Sequence, residues 1–247
     1  MMMQRNTESE RYRRQIAVVG EEGQEALGKA RIVIAGVGGL GSAIALYCAA
    51  AGVGYIRLID CDTVEVSNLN RQILYRTEDI GKEKMTAAAA NLCTLNPGIE
   101  VEPVQAKITA ENVESLLDGS DLVLDGMDNF PVRYLLAHAA WNHKIPFIHG
   151  AVSGMYGQVT TIIPGVTPCL RCMVPFPPPS GATPIIGVTT GIIGSIQAAE
   201  AIKYLTGRGV LYTGRMLLWD GLRGDASVIT IEQDPACHEC GKAATNE

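Results

Sequence analysis

A glycine-rich turn between an apolar strand and an alanine-rich helix constrains this chain more than any other feature of its sequence. The run Arg31–Ala35 (RIVIA) is typical of a buried strand, and Ser42–Ala51 has the composition of a helix. Between them GVGGLG fits the spacing G-x-G-x-x-G, with its glycines at Gly36, Gly38, Gly39 and Gly41. Such a turn lets the backbone approach phosphate closely, and the following helix offers unpaired N–H groups. Asp60 ends the next predicted strand, where a carboxylate can bond ribose hydroxyls, so the pattern predicts a nucleotide site.

The order of the predicted elements indicates an α/β fold with a Rossmann-like, largely parallel sheet. Short β-branched runs alternate with alanine-rich helical stretches through the first part of the chain, as βαβ units require. After Gly157 the pattern changes, and further strands are predicted at 158–163, 216–219 and 227–232, with a long helix at 190–205. We therefore expect a single sheet that begins parallel and is extended by antiparallel C-terminal strands.

Composition narrows the classes of protein to which the chain can belong. It has 247 residues and a formal net charge of −6, whereas a nucleic-acid-binding protein needs a basic surface to displace phosphate counterions. Two uncharged runs, 33–56 and 173–199, are broken by glycines or prolines, so neither predicts a membrane-spanning helix. The N-terminus, MMMQRNTESE, lacks the apolar core of an export signal. We therefore expect a cytoplasmic protein that binds neither nucleic acid nor a membrane.

Two cations and a carboxylate follow predicted strands close to the glycine turn. Arg71 and Lys84 come after the second strand, and Asp128 follows the strand predicted at 121–125. Residues beyond the carboxyl ends of strands share the ligand crevice of an open α/β sheet. This charge arrangement suits a triphosphate with Mg²⁺ better than a nicotinamide, although the glycine spacing alone is also typical of NAD sites. For each residue taken alone, a surface ion pair is the alternative.

Five segments in order and spacing resemble the MoeB/ThiF/HesA family. They are RYRRQI at 11–16, GVGGLGS at 36–42, DCDTVEVSNLNRQ at 60–72, GKEK at 81–84 and DGMDN at 125–129. This family is related to ubiquitin-activating enzymes, and its members adenylate the C-terminal glycine of small ubiquitin-like sulfur carrier proteins. The resemblance implies one adenylating domain over 1–247, made of three parts: an N-terminal arm and helix at 1–30, a nucleotide-binding half at 31–150 and a carrier-facing half at 151–247.

The resemblance also implies roles for individual residues. Asp60 would hold the ribose of ATP, Asp128 would support Mg²⁺, and Arg71 and Lys84 would contact the phosphates. The nucleotide would further be lined by the other residues of the matching motifs: Gly36, Gly38, Gly39, Gly41, Ser67, Asn68, Leu69, Asn70, Gln72 and Asn129. Arg14 would reach into the site of a neighbouring subunit, which implies a homodimer. Taken from the sequence alone, Arg14 is one of several arginines in a polar N-terminal arm.

Four of the seven cysteines form two widely separated C-x-x-C pairs, Cys169 with Cys172 and Cys237 with Cys240. Four thiolates at these spacings can wrap a tetrahedral Zn²⁺ and leave no ligand position open. The sequence therefore predicts a structural zinc site that clamps the C-terminal tail onto the body, a clamp that the family commonly carries. His238 lies inside the second pair, but four cysteines already suffice for the metal. His138, His143 and His149 show no ligand spacing, so we expect them to be packed or exposed without a role.

The remaining cysteines offer no obvious nucleophile. Cys48 and Cys93 lie on predicted helices as small apolar residues, whereas Cys61 is close to the predicted nucleotide and is a candidate reactive thiol. Relatives that form a persulfide or thioester place a cysteine in the loop before the last long helix. Here that loop, 175–187, contains Ser180 and no cysteine. We therefore expect the chemistry to stop at the acyl-adenylate.

Three functions follow from these patterns. The preferred one is ATP-dependent adenylation of a sulfur carrier protein ending in Gly-Gly, in molybdenum cofactor, thiamin or a related sulfur pathway. A NAD-dependent oxidoreductase would share the glycine turn but needs a hydride-transfer constellation that the sequence does not show. A non-catalytic module binding nucleotide or a ubiquitin-like protein would keep the fold, but the intact Arg71, Lys84 and Asp128 argue against it. Within the family, the net negative charge and the four paired cysteines make it less favourable to assign this chain to the tRNA-modifying dehydratases.

Overall fold

The strand Arg31–Ala35 lies inside an eight-stranded sheet because its residues are apolar on both faces. In the computed structural model, which describes residues 2–176 and 184–241, Ile32, Val33 and Ile34 are at most 1% exposed. β-Branched side chains suit a parallel strand that helices cover on both faces. This strand is therefore the scaffold from which the glycine turn projects.

The sheet is parallel at one end and antiparallel at the other. Its strands in chain order are β1 (Arg31–Ala35), β2 (Tyr55–Asp60), β3 (Glu100–Gln105), β4 (Leu122–Asp125), β5 (Phe147–Ser153), β6 (Tyr156–Ile162), β7 (Arg215–Asp220) and β8 (Asp225–Thr230). Their spatial order is β3-β2-β1-β4-β5-β6-β7-β8. Pairs from β3 to β5 are parallel, and pairs from β5 to β8 are antiparallel. This confirms the predicted fold class.

Helices cover both faces of the sheet. They are α1 (Met2–Lys29), α2 (Gly39–Ala51), α3 (Lys84–Leu95), α4 (Val113–Leu117), α5 (Phe130–Asn142), α6 (Leu170–Met173) and α7 (Gly187–Thr206). The core on the α2 and α7 side includes Ile32 and Ile34, and the core on the α4 and α5 side includes Val33 and Ala35. Because neighbouring side chains of a strand point to opposite faces, the two cores lie on opposite sides of the sheet.

Two helices depart from the sequence expectations. α2 begins at Gly39 rather than Ser42, because the second half of the glycine turn already adopts the first helical turn. The N-terminal segment is helical from Met2 to Lys29 rather than an arm followed by a helix, with a non-helical break at Gly20, where φ is +80°. Its residues are largely polar, so the apolar periodicity that would have predicted its full length is weak.

The uncharged run 33–56 contains the end of β1, the glycine turn, α2 and the start of β2. Gly52 ends α2 in the left-handed conformation, with φ of +83°, and so separates the helix from the strand that follows. Among the residues that the structure describes, no helix combines the length and the apolar character needed to cross a membrane.

Candidate active site

The order of the strands opens a crevice beside β1. This strand lies between β2 and β4, so connections on the two sides of β1 run in opposite directions along the sheet. Ligands of open α/β sheets bind at such reversals, beyond the carboxyl ends of the strands. The glycine turn, Asp60 and Asp128 follow or end β1, β2 and β4, so the fold brings the three motifs to the same edge.

The glycines of the turn have different structural requirements. Gly36 has φ of +82°, and a Cβ there would lie 2.7 Å from the carbonyl oxygen of Gly126. A Cβ at Gly41 would lie 2.0 Å from the carbonyl oxygen of Gly36. By contrast, the nearest atom to a Cβ at Gly38 is Nε2 of Gln72, at an ordinary 3.7 Å. Gly36 and Gly41 therefore close the turn, whereas Gly38 leaves open space in front of the uncapped N-terminus of α2.

Asp60 ties the end of β2 to the glycine turn. Its Oδ2 accepts a hydrogen bond from the Val37 N–H at 2.9 Å, and its Oδ1 accepts one from the Asp62 N–H at 3.0 Å. Lys84 Nζ lies 2.8 Å from Asp62 Oδ2 and 3.8 Å from Asp60 Oδ2, with its side chain 5% exposed. The ammonium is thus held at the crevice by two carboxylates. Sequence reasoning gave no role to Asp62, although its place two residues beyond the strand-ending acid was the available signal.

The segment after Asp62 presents Arg71 to the same edge. A short 3₁₀ turn, Val66–Asn68, is fixed because Asn68 Oδ1 accepts the N–H of Glu65 at 3.2 Å. Arg71 Nη1 donates to the Ser67 carbonyl at 2.8 Å and to Asn70 Oδ1 at 3.0 Å. Among the side chains that the structure describes, those of residues 10–176 and 184–241, Arg71 makes no ion pair with a carboxylate. Its charge is therefore available to an anionic ligand.

The N-terminus of α7 packs against both of these loops. A Cβ at Gly187 would lie 2.4 Å from the Asn70 carbonyl oxygen, and one at Gly39 would lie 2.8 Å from Cγ2 of Thr190. A Cβ at Gly194 would lie 2.7 Å from a carbonyl oxygen of α2, so this glycine lets the two helices approach closely. Leu69 packs into the core, and Gln72 is buried with its Oε1 unpaired among the described residues. The predicted segment Ser67–Gln72 thereby contacts the start of α7, with Asn68 and Gln72 buried and with Ser67 and Asn70 exposed.

Asp128 is an exposed carboxylate at the N-terminus of α5. Its Oδ1 accepts a hydrogen bond from Asn129 Nδ2 at 3.1 Å, and Asn129 Oδ1 accepts the Val132 N–H at 3.1 Å as the cap of the helix. Gly126, two residues earlier, packs against Gly36 of the turn. An accessible carboxylate at this edge is the kind of oxygen ligand that Mg²⁺ takes, so the donor set fits the implied ion.

Behind Asp128 lies a buried polar network that sequence reasoning missed. Asp125 and His149 are both 0% exposed, and Asp125 Oδ2 lies 2.7 Å from His149 Nδ1. Gln158 Nε2 lies 3.0 Å from His149 Nε2, and Arg133 Nε lies 3.3 Å from Asp125 Oδ2. Burial lowers the pKa of His149 although Asp125 opposes the shift, so the ring is neutral at pH 7. The residues of this network come from separate strands and helices, so no spacing in the sequence could predict their contacts.

Arg14 lies at the far end of α2 from the glycine turn. Its neighbour Gln15 donates to the Ala51 carbonyl at 2.7 Å, and Tyr12 packs against Gly52. Since α2 has 13 residues, these contacts lie about 20 Å from the start of the helix. Arg14 itself is exposed, so it does not reach the crevice of its own chain.

The two C-x-x-C pairs come together near the C-terminus. Sγ of Cys169 lies 4.0 Å from that of Cys172 and 3.6 Å from that of Cys237, and Cys172 lies 3.3 Å from Cys240. All four sulfur atoms lie within 4.8 Å of one another, and all but Cys172 are buried. Four ligands around Zn²⁺ at 2.3 Å place their sulfur atoms about 3.8 Å apart, so the cluster fits this metal and leaves no open position.

The spare cysteines differ in their surroundings. Burial raises the pKa of Cys48 to about 12, and Cys93 is exposed on α3. Cys61 is exposed and, with Asp62, Thr63, Glu65 and Asn68, lines an open cleft of about 390 Å³. Partial burial and the neighbouring Asp62 and Asp60 raise the pKa of Cys61, which disfavours a thiolate. Ser180 lies outside the described residues.

Comparison with known families agrees with this geometry. The model of the ThiF family matches residues 12–240. The chain belongs to the ThiF family. This confirms the resemblance carried by the five sequence segments, four of which lie wholly within the matched region, while the segment 11–16 begins one residue before it.

Two curated relatives of this ThiF-family chain match it along nearly its full length. A sulfur carrier protein adenylyltransferase of Thermus thermophilus is 42% identical over 251 residues, covering 96% of this chain and 93% of that protein. A SAMP-activating enzyme E1 of Haloferax volcanii is 40% identical over 248 residues, covering 97% of this chain and 92% of that protein. Among solved structures, E. coli MccB with ATP has a TM-score of 0.82 at 21% identity, covering 93% of this chain and 74% of that one. At that identity the likeness concerns the fold.

Replacing Gly38 by alanine tests whether phosphate lies against the turn. Because the protein has room for a methyl group there and Gly38 is the N-cap of α2, we expect Gly38→Ala to lower the free energy of unfolding by no more than about 1 kcal/mol. The methyl group would occupy the space of the ligand, so ATP binding should weaken by about 1–3 kcal/mol, the usual cost of overpacking. Chemical denaturation and isothermal titration calorimetry measure the two quantities.

Two other glycines provide the comparison. Gly41→Ala should lower the free energy of unfolding by about 1–3 kcal/mol, because its Cβ would clash with the Gly36 carbonyl. Gly28→Ala, on α1 with nothing within 4 Å of its Cβ, should leave ATP binding unchanged. Wild-type ATP affinity in Gly38→Ala would mean that the ligand does not contact this turn.

Proposed function

We propose that this chain adenylates the C-terminal glycine of a ubiquitin-like sulfur carrier protein, forming an acyl-adenylate and pyrophosphate. The observation that carries the proposal is the convergence of Lys84 and Arg71 on an open glycine turn at the reversal of the sheet. Membership of the ThiF family and the similarity to a sulfur carrier protein adenylyltransferase support it. An oxidoreductase would need neither of these cations near the turn.

The residues at the crevice divide the recognition of ATP among them. Asp60, already oriented by the Val37 N–H, would accept the ribose hydroxyls, and the first turn of α2 would face the phosphates. Gly38 and Gly39 with the Ser67–Gln72 segment would line the nucleotide. Asp128 and Asn129 would hold Mg²⁺, which when bound neutralises phosphate charge.

The carrier brings its own nucleophile. A C-terminal carboxyl has a pKa of about 3.5, so it is ionised at neutral pH and requires no general base. One carboxylate oxygen would attack the α-phosphorus of ATP, forming a C–O–P linkage while the bond from that phosphorus to the bridging oxygen breaks. Pyrophosphate leaves with that oxygen and its electron pair. The protein therefore acts by positioning and by charge stabilisation, for which Arg71 and Lys84 are suited.

The ion pairs of Lys84 would allow its ammonium group to move from a carboxylate to a phosphate of ATP. It pairs with Asp62, whose side chain is 64% exposed, and lies farther from the more buried Asp60. Lys84 is buried at 5% exposure, but its partner Asp62 faces water, so this carboxylate can be rehydrated when the ammonium moves to a phosphate oxygen. The carboxylate of Asp62 remains solvated after the transfer. The lysine is thus pre-oriented at the crevice without being locked there.

Removing either cation should abolish catalysis while keeping the fold. We expect Lys84→Ala and Arg71→Ala each to lower ATP–pyrophosphate exchange by about 10²–10³-fold, the range for deleting one group that stabilises developing charge. Exchange would be measured with a panel of carriers ending in Gly-Gly, and thiocarboxylation read by mass would identify the carrier pathway.

Neighbouring cations serve as matched controls. Lys82, whose side chain is half exposed, pairs with the buried Asp79, and Arg76 pairs with Glu78 on the surface. Lys82→Ala and Arg76→Ala should retain wild-type exchange. Wild-type exchange in Lys84→Ala and Arg71→Ala as well would exclude the proposed assignment.

A homodimer would complete the site. Arg14 is exposed and lies at the opposite end of α2 from the glycine turn of its own chain, so its predicted role requires a second chain. We infer that Arg14 of each protomer reaches the phosphates bound by its partner. Closed two-fold symmetry, the commonest arrangement of soluble oligomers, would place two equivalent arginines in two equivalent sites.

Complementation between two inactive variants tests this arrangement. Arg14→Ala and Lys84→Ala should each be inactive, but a mixed dimer would pair one intact crevice with one intact Arg14. Random mixing in co-expressed protein should then restore about a quarter of the wild-type exchange rate. No recovery in a mixture that sediments as a dimer would show that Arg14 acts within its own chain, and full activity of Arg14→Ala alone would show that it takes no part.

We propose Zn²⁺ as the metal of the four-cysteine cluster and a structural role for it. The cluster fastens the tail to α6, and Glu239 beside it lies 3.5 Å from both Arg171 and His138. Because four sulfur ligands complete the coordination, no site remains for a substrate. The metal would stabilise the carrier-facing half without taking part in adenylation.

Substitution of one ligand should separate stability from catalysis. We expect Cys237→Ser to lose zinc, measured by plasma mass spectrometry, and to unfold at a lower temperature. ATP–pyrophosphate exchange by this variant, assayed well below its unfolding temperature, should persist. Cys93→Ser, an exposed cysteine outside the cluster, should keep both metal and stability. A zinc-free wild-type protein with unchanged stability after chelation would contradict the proposal.

We further propose that residues 1–247 act as one adenylating unit in the cytoplasm. The sheet runs without interruption from the predicted nucleotide-binding half into the predicted carrier-facing half, since β5 pairs with strands of both. The chemistry would end at the acyl-adenylate, because the described cysteines offer no activated thiol at the crevice.

A further inference from the structure

Both carboxylate oxygens of Asp125 have partners: each accepts one hydrogen bond, and one of them also forms an ion pair. Its Oδ1 accepts the Met127 N–H at 3.0 Å, and its Oδ2 lies 2.7 Å from His149 Nδ1 and 3.3 Å from Arg133 Nε. The side chain is 0% exposed. A buried carboxylate with partners on both oxygens cannot rotate without leaving a polar group unpaired.

The same residues also hold the backbone that follows β4. Arg133 donates to the Met127 carbonyl, and Gln197 donates to the Asp125 carbonyl at 2.8 Å. Met127 is therefore fixed through both its N–H and its carbonyl. Asp128 is the next residue, so the network behind the turn sets the position from which its carboxylate reaches the crevice.

The contacts of His149 select one form of its ring. Nδ1 faces a carboxylate, which accepts a hydrogen bond, and Nε2 faces the amide nitrogen of Gln158, which donates one. Only the neutral ring with its proton on Nδ1 satisfies both contacts. The charged groups around it are Asp125 on β4 and Arg133 on α5, whereas Gln158 on β6 and Gln197 on α7 are uncharged.

We propose that His149 is a positioning residue: its Nδ1–H locks Asp125, and Asp125 locks the turn that presents Asp128 to the nucleotide-bound cation. The inference rests on the proposed function, because it assigns Asp128 to that cation. His149 itself touches neither substrate nor metal. Its role is comparable to that of the outer partners that orient metal-binding groups, whose loss costs about 10–100-fold in metal affinity or activity.

Two amide substitutions of the same residue distinguish positioning from packing. In His149→Asn the amide N–H can replace Nδ1–H and keep the bond to Asp125, whereas in His149→Gln the longer side chain places its amide near the Nε2 position. We expect Mn²⁺ binding to be near wild type in His149→Asn and about 10–100-fold weaker in His149→Gln. Binding would be followed by the electron paramagnetic resonance of free Mn²⁺ with a non-hydrolysable ATP analogue.

This assay needs no carrier protein, so it separates the two hypotheses. If the wild-type protein binds no Mn²⁺–nucleotide, the proposed function fails. If it binds and the two variants bind equally, whether strongly or weakly, the positioning role is wrong. His143→Asn, which affects an exposed histidine paired with Glu114, is the control and should bind as the wild type does.

The ring form of His149 can be measured on the unsubstituted protein. In ¹⁵N-histidine-labelled protein without nucleotide or added metal, the long-range ¹H–¹⁵N spectrum should assign His149 a protonated Nδ1 and an unprotonated Nε2 at pH 7. Assignment by comparison with His149→Asn identifies the resonance. A proton on Nε2 instead would remove the donor to Asp125 and overturn the inference, even if His149→Gln failed to fold.

Discussion

The tight fit of the glycine turn against its own backbone is the constraint on which the rest of the site depends. Gly36 lies in the left-handed region and Gly41 packs on its carbonyl, so the chain reverses within the space of the G-x-G-x-x-G motif. Gly36 also contacts Gly126 of the loop after β4. One backbone contact therefore fixes the start of α2 relative to the loop that carries Asp128, and a bulkier turn would separate them.

Charge is balanced differently at the front and at the back of the crevice. At the front, Lys84 is shared between Asp60 and an exposed Asp62, a loose arrangement that an incoming phosphate can rearrange. At the back, Asp125 is completely buried and paired with Arg133, an arrangement that is costly to disturb. The groups proposed to meet ATP are thus the replaceable ones, and the fixed pair serves the geometry of the loop.

Local patterns in the sequence were sufficient for the fold and for much of the site. The glycine turn, the acid at the end of β2 and the C-x-x-C pairs are short-range signals, and each corresponds to a defined feature of the structure. The buried contacts of His149 were not predicted because its partners are distant in sequence and meet only in the folded sheet and its covering helices. The length of α1 was missed for a different reason: its polar residues carry little periodicity, and its packing on α2 and α7 supplies what local pattern did not.

The two halves of the chain meet at α7, which explains why one continuous sheet serves two substrates. Gly39 packs on Thr190, and Gly187 packs on Asn70. The N-terminus of α7 therefore contacts both the glycine turn and the segment that carries Arg71. The antiparallel strands β6 to β8 extend from this junction, away from the nucleotide residues. A carrier approaching along that extension would bring its C-terminus to the start of α7, next to the glycine turn that is proposed to bind the phosphates. Close backbone packing at glycines, rather than a flexible hinge, would then align the carboxylate with ATP.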